Sequence, residues 1–515
     1  MLPMKYVKPL TLMRHILRAI VYGGIGAILM LIVGGVISLN NRPDLKIWHE
    51  VELDEEFRAG SGTQTFEQYL ELEDRLFKQL DEEIYEQIEL EDENLINRYF
   101  SGSLSDPGQW AVNWNRSFQW QNDNPEIGVL LLHGMSDSPY SMRIIGEDLH
   151  SHGASVIGLR LPGHGQAPSG LLGVEWEDMA EAVELAMRHL RATTVDRPLY
   201  IVGYSNGGAL AVHYALESLH EEDHPAINGL VLLSPEIGIS KLAALAIWQE
   251  RLGRVLGLEK LAWNDLLPEY EPWKYGSFAL NAGVQAYRIT TEIQAEIATN
   301  ATNGDLTRMP PILAFQSVVD ATVSAPALVN HLFGRLPMVD AHCVDAPRQQ
   351  NELVLFDINR WAEIEPLMTH NLTAWINPLR DNQQLKFQLT FVSNNESKDQ
   401  QLDAVVRKPG ATSDTVCATN MVWPAGIYSL SHVALPFAPD DPVYGVNAVD
   451  NNEIIQLGDL ALRGERKVLR VSAASMLRLR WNPFHAYMMQ RMRVFLGLEN
   501  PPDLLCDAHW VLTDG

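Results

Sequence analysis

Leu199-Tyr200-Ile201-Val202-Gly203-Tyr204-Ser205-Asn206-Gly207-Gly208-Ala209-Leu210 is an apolar run that breaks into a Gly-x-Ser-x-Gly turn and then continues with helix-forming residues. The pattern predicts strand, sharp turn, helix. A serine at such a turn has a strained backbone and a hydroxyl pushed out at the sheet edge, and glycines flank it because a Cβ there would collide with a neighbouring element. Ser205 is therefore the candidate nucleophile. A glycine-rich strand-to-helix turn without chemistry is the plainer alternative, so the surrounding chain has to decide.

Working upstream, Ile127-Gly128-Val129-Leu130-Leu131-Leu132 is a buried-type strand that runs into His133-Gly134-Met135. A second strand, Ser155-Val156-Ile157-Gly158-Leu159-Arg160, leads to Leu161-Pro162-Gly163-His164-Gly165. Strand then His-Gly, strand then Pro-Gly-His-Gly, strand then Gly-x-Ser-x-Gly: in this order the chain resembles the α/β-hydrolase superfamily, on its lipase, carboxylesterase and serine-aminopeptidase side. The resemblance covers residues 125–500. It implies an α/β fold with a mostly parallel central sheet flanked by helices, a helical cap insertion, and a Ser-His-Asp triad working through an acyl-enzyme.

In that superfamily the chain order is nucleophile, acid, histidine. Asp320 follows the strand Ile312-Leu313-Ala314-Phe315-Gln316-Ser317, where a loop at a strand's C-terminal end presents an acid. Glu236, after Leu230-Val231-Leu232-Leu233-Ser234-Pro235, is the alternative, and an N-cap role near Ser324 is the non-catalytic reading of Asp320. Of the histidines downstream, His331, His342, His370, His432, His485 and His509, the choice is His432. It lies in a Ser-His-Val setting similar to the base loop of esterases, whereas His331 and His485 fall on helices that direct them elsewhere. The resemblance also implies an oxyanion hole made by the backbone N–H groups of Met135 and Asn206. His133 and His164 are read as loop-orienting, and Asp137 as a turn residue. No cofactor is expected, and no His, Cys or carboxylate spacing along the chain suggests a metal.

The 515-residue chain carries a formal net charge of −26, which argues against nucleic acid as a partner. Three cysteines, Cys343, Cys417 and Cys506, allow one bridge at most, and Cys343 with Cys417 is the expected pair.

Residues 19–39 contain no charged side chain and are long enough to cross a bilayer as a helix. Lys5, Lys8, Arg14 and Arg18 precede them without an acidic residue, so the N-terminus, residues 1–18, is expected to stay cytoplasmic and the remainder to be exported, into the periplasm in a Gram-negative cell. Residues 40–124 form an acidic, helical, membrane-proximal region. Phe66, Tyr69, Leu76, Phe77 and Leu80 recur there at helical spacing, with Thr65 and Gln68 as a capping box, and the helix serves either as a spacer or as a packed element.

The hydrolase domain is placed at 125–500, with a cap at about 239–307, an insertion at about 333–425 and a tail at 501–515. Two strands in the insertion, around Leu353 and Phe387, compete to be the last of the core. The expected function is hydrolysis of carboxylic esters, lipid-like acyl esters above all, by a membrane-anchored serine hydrolase. The rivals are an aminopeptidase-like amidase and a catalytically silent, membrane-tethered binding module.

Overall fold

A computed structural model of the chain describes residues 9–221, 223–238, 259–338, 350–360, 364–368, 373–394, 400–449, 451–460, 471 and 476–500. Its centre is a ten-stranded sheet. The strands are β1 (Phe118–Trp120), β2 (Ile127–Leu132), β3 (Ala154–Leu159), β4 (Leu199–Tyr204) and β5 (Gly229–Leu233). After a small separate ribbon of β6 (Trp263–Asp265) and β7 (Phe278–Ala279) come β8 (Ile312–Ser317), β9 (Glu352–Phe356), β10 (Gln388–Asn394), β11 (Gln401–Arg407) and β12 (Thr415–Val422).

The spatial order is β1-β3-β2-β4-β5-β8-β9-β10-β11-β12. Every pairing from β3 through β10 is parallel, and β1, β11 and β12 are attached antiparallel. Both β9 and β10 are thus core strands, and the stretch read as an insertion supplies four strands of the sheet.

Parallel strands covered on both faces read as unbroken apolar runs, because alternate side chains enter two different cores. Leu130, Leu132, Ile201, Leu232 and Ala314 point into one core. Their neighbours Val129, Leu131, Val202, Val231 and Phe315 point into the other. The first is covered by α4 (Trp176–Thr194), α5 (Asn206–Glu217) and α6 (Leu280–Asn303), and the second by α3 (Arg143–Ser151) and α7 (His485–Leu496). At β11 the burial pattern becomes strictly alternating, as expected where one face meets solvent.

The acidic N-terminal region packs on this body and is not a spacer. Its helix α2 (Phe66–Glu83) buries Phe66, Tyr69, Leu76, Phe77 and Leu80. Thr65 caps it, accepting from Gln68 N–H at 3.3 Å. The Gln68 side chain accepts from Gln64 N–H instead of Thr65 N–H, so the reciprocal half of the box closes one residue early.

A buried ion cluster completes the docking. Arg160, at the end of β3, donates to both oxygens of Glu56 at 3.0 Å, to Glu73 at 2.9 Å and to the His164 carbonyl at 3.0 Å. Burial alone would raise Glu56, but the Arg160 charge and hydrogen bonds outweigh it and its pKa lies below the ordinary value. Glu73 has fewer such partners; burial dominates and its pKa is raised.

The stretch 19–39 lies in one continuous helix, α1 (Pro9–Asn40). Ile20, Tyr22, Ile25 and Met30 are exposed on it, and its five glycines have no neighbouring atom within 4 Å of an added Cβ. Among the described residues, which take in part of the α1 side chains, no helix is long and apolar enough to cross a membrane. Just beyond α1, the Arg42 guanidinium donates to the carbonyls of Lys260 and Trp263 at 2.7 Å and of Asn264 at 2.9 Å.

Cys417 is disulfide-bonded. Its expected partner Cys343 lies outside the described residues, as do Cys506, the tail 501–515, and 239–258 of the cap with Trp248. Of the described cap aromatics, Trp263, Tyr270, Trp273 and Tyr275 are buried. Trp273 stacks on Tyr140, with ring centroids 4.9 Å apart, and Tyr275 OH donates to the Gly163 carbonyl at 3.1 Å, so both pack the cap segment onto the body.

Candidate active site

Every described loop that matters here leaves the C-terminal edge of the parallel strands. Between β4 and α5, Ser205 has φ 53° and ψ −115°, a conformation costly for a residue with a Cβ. It is held by Ser205 N–H donating to the Leu233 carbonyl at 2.9 Å, while the Ser205 carbonyl accepts from Glu236 N–H at 3.0 Å. The turn closes only because its glycines are bare: a Cβ on Gly207 would sit 2.3 Å from the Leu132 carbonyl oxygen, and one on Gly203 would sit 2.4 Å from that of Gly207.

The structure brings Ser205, His432 and Asp320 into one line. Ser205 Oγ is 3.1 Å from His432 Nε2, and His432 Nδ1 is 2.8 Å from Asp320 Oδ2. The side chains of His432 and Asp320 are 4% and 0% exposed, which leaves little water to compete.

Asp320 is satisfied on both oxygens: Oδ2 also accepts from Gln316 Nε2 at 2.9 Å, and Oδ1 accepts from the N–H groups of Thr322 and Val323 at 2.8 and 3.0 Å. Burial would raise this carboxyl, but the His432 charge and these bonds together hold it below the ordinary value. An ionised carboxylate only accepts, so the proton on the imidazole belongs to Nδ1, and the Nε2 lone pair faces the serine hydroxyl.

The His133-Gly134-Met135 loop passes directly over the nucleophile, since a Cβ on Gly134 would lie 3.2 Å from Ser205 Cβ. His133 Nε2 accepts from Leu161 N–H at 3.0 Å and its Nδ1 donates to the Gly134 carbonyl at 2.8 Å. His164 Nδ1 donates to the Pro162 carbonyl at 2.9 Å. Burial holds both histidines far toward the neutral form, at about 4 for His164, so each serves as a loop fastener. Asn206 is the first residue of α5, where N–H groups have no partner inside the helix. Asp137 caps its own turn, accepting from Ser138 N–H at 2.9 Å, and burial pushes its pKa up to about 6.

Glu236 is not hydrogen-bonded to His432. Its Oε2 is buried and unpartnered, and burial, followed by the Asp320 charge, raises its pKa to about 7. His331 is exposed and His485 is buried at the start of α7, while His342, His370 and His509 lie outside the described residues.

Two supporting residues were not anticipated from sequence. Gln316 steadies Asp320, and its signal is a lone amide inside the apolar run of β8. Tyr204 packs its ring 5.3 Å from that of His432, and its OH donates to the His432 carbonyl at 3.4 Å. None of the three His and carboxylate groupings among the described residues includes Ser205, Asp320 or His432.

This sheet order, with a strained serine between a parallel strand and the helix after it and an acid and a histidine arriving later in the chain, is the arrangement of an α/β-hydrolase fold. Residues 123–332 match the family model described as serine aminopeptidase, S33. The chain is 31% identical over 122 residues to a thermostable monoacylglycerol lipase of Bacillus sp. (strain H-257), covering 24% of this chain and 46% of that protein. It is 26% identical over 150 residues to Phospholipase YtpA of Bacillus subtilis (strain 168), covering 29% and 52%. The chain thus spans about half the length of the curated relatives it matches. Among solved structures, a monoacylglycerol lipase of Paleococcus ferrophilus is similar at 20% identity with a TM-score of 0.34, over 47% of this chain and 89% of that one.

Proposed function

We propose that the protein is a serine hydrolase that cleaves carboxylic esters, with lipid-like acyl esters as substrates. The observation that carries this reading is the unbroken hydrogen-bonded line from Ser205 through His432 to Asp320 at a strained elbow. In the first half-reaction His432 Nε2 takes the Ser205 proton as Oγ attacks the ester carbonyl; the C–O bond to the alcohol then breaks as the imidazolium returns that proton to the leaving oxygen. Water enters by the same general-base route and releases the acid. Asp320 keeps the ring in the reactive tautomer and favours the imidazolium. The N–H groups of Met135 and Asn206 are assigned to the oxyanion, a role supported by the loop over Ser205 and the free N-terminus of α5.

Ester preference is supported by the partial relatives named as a lipase and a phospholipase. The amidase rival is favoured by the description of the matching family model. Membrane anchoring through residues 19–39, and export of the hydrolase domain, rest on that stretch's lack of charge and on the basic residues before it.

Labelling with a fluorophosphonate probe tests the class: the wild type should label and Ser205→Ala should not. A folded wild type that stays unlabelled rejects the enzyme and favours the binding module. Hydrolysis of p-nitrophenyl esters against aminoacyl amides then separates esterase from amidase.

A further inference from the structure

On the flank carrying α4, α5 and α6, two imidazoles and three carboxylates meet from four separate segments. His213 and Glu217 lie one turn apart on α5 and so share a face. Glu184 comes from α4, Glu296 from α6 and His224 from the chain following α5. Donor atoms of His213, Glu217 and Glu296 lie within 4.8 Å of one another, as do those of Glu184, Glu217 and His224, and Glu217 belongs to both groups. His213 Nε2 is 3.4 Å from Glu217 Oε2, and its Nδ1 is 3.1 Å from Glu296 Oε2. His224 Nε2 is 3.2 Å from Glu184 Oε2. These side chains are largely withdrawn from solvent, from 5% exposed at His213 to 32% at Glu217.

Protons alone can fill such a cluster, as ion pairs of imidazolium with carboxylate. The charge balance favours more. Three carboxylates face two imidazoles, and among the described residues the one permanent cation ion-paired into the cluster, Arg188, bonds Glu184 from the next turn of α4 while remaining 39% exposed.

The spacing is informative too. Ligand bonds of about 2.0–2.1 Å to a tetrahedral ion put neighbouring donor atoms about 3.3 Å apart, and the two His-Glu pairs stand at 3.4 and 3.2 Å. Glu296, on the far nitrogen of His213, occupies the place of the outer carboxylate that orients metal-binding histidines.

We propose that His213, Glu217, Glu184 and His224 bind one divalent transition cation of the zinc class, with Glu296 holding His213. Mixed imidazole and carboxylate donors suit such an ion, whereas calcium and magnesium take oxygen ligands alone. The two groupings share Glu217 alone, so closing both pairs on a single ion needs side-chain adjustment around it. His213 is eight residues along α5 from Ser205, roughly 12 Å at the helical rise, so the ion is a staple between helices and takes no part in the ester chemistry.

The test uses the full-length protein, stripped with a chelator and titrated with Zn²⁺ alone, reading metal content after desalting and the thermal unfolding midpoint. One zinc per chain and a midpoint raised by several degrees are expected, with no rise from Ca²⁺ or Mg²⁺ at the same concentration. Glu217→Gln, similar in shape but a poor ligand, should weaken zinc affinity at least tenfold, and Glu91→Gln, outside the site, should not. Should metal-free Glu217→Gln melt far below the wild type, His224→Gln takes its place with the same expectation. Zinc uptake undiminished in the site variant, uptake well below one per chain, or an equal shift with Ca²⁺ would each overturn the proposal.

Discussion

The molecule buries two lines of charge a short distance apart, and they end differently. At the Arg160 cluster the guanidinium is spent on Glu56, Glu73 and the His164 carbonyl, and the Glu56 carboxylate also accepts from Phe57 N–H, Gly163 N–H and Gln166 Nε2. Four of the five guanidinium N–H groups are engaged in this way, and the result is a clamp. At the Asp320 carboxylate the bonding is as complete, but the line runs on through His432 to a hydroxyl that can be exchanged for substrate. Buried charge alone does not make a group reactive; an unfinished final bond does.

That contrast can be broken by substitution. The largest effect is expected from His432→Ala, which should lower kcat by roughly 10⁴–10⁶-fold and leave the unfolding midpoint within a degree or two; a parallel loss of fold would mean that the site is also a clamp. Next comes Arg160→Met, which strands two buried carboxylates and should cost about 3–5 kcal/mol of stability by denaturant unfolding, with residual folded protein still active per molecule.

Glu236→Gln falls between the two classes. The Glu236 carboxyl titrates at about 7 when folded, against an ordinary 4.5, so the folded state holds the proton more tightly. Wild-type stability should therefore decline as pH rises from about 4.5 to 7, and the variant should remove that decline, gaining about 1–3 kcal/mol at pH 8 and nothing near pH 4. An unchanged pH–stability curve would show that Glu236 carries no such load. The smallest effect is Thr65→Ala at the start of α2, about 0.5–1 kcal/mol in urea unfolding, without change in kcat.

How far these two regions can be read from sequence follows from their physical range. Ser205 is legible because strand, turn and helix are adjacent, and Gly203 and Gly207 mark the close approach. Asp320 is found from its place after an apolar strand. His432 is harder, since it arrives over a hundred residues later and only chain order and its local setting single it out. The docking of α2 was undecidable, because its partner Arg160 is one arginine at a strand end and the two acids it meets lie far upstream. The width of the sheet was hidden for a similar reason: β9 to β12 sit among long connections, and nothing local says that β9 and β10 pair with each other. The five residues of the zinc proposal come from four segments, so no spacing along the chain could have grouped them.

Arg42 has a mechanical consequence. Grasping three carbonyls of the 260–264 segment, it ties the chain just beyond α1 to the body. Should α1 sit in a bilayer, as proposed, this tie would restrict how the body carrying Ser205 swings above the surface. Cutting that grip, as in Arg42→Ala, would turn a fixed turret into a swivelling one, and turnover on vesicle-borne esters would change while turnover on a dissolved ester would not.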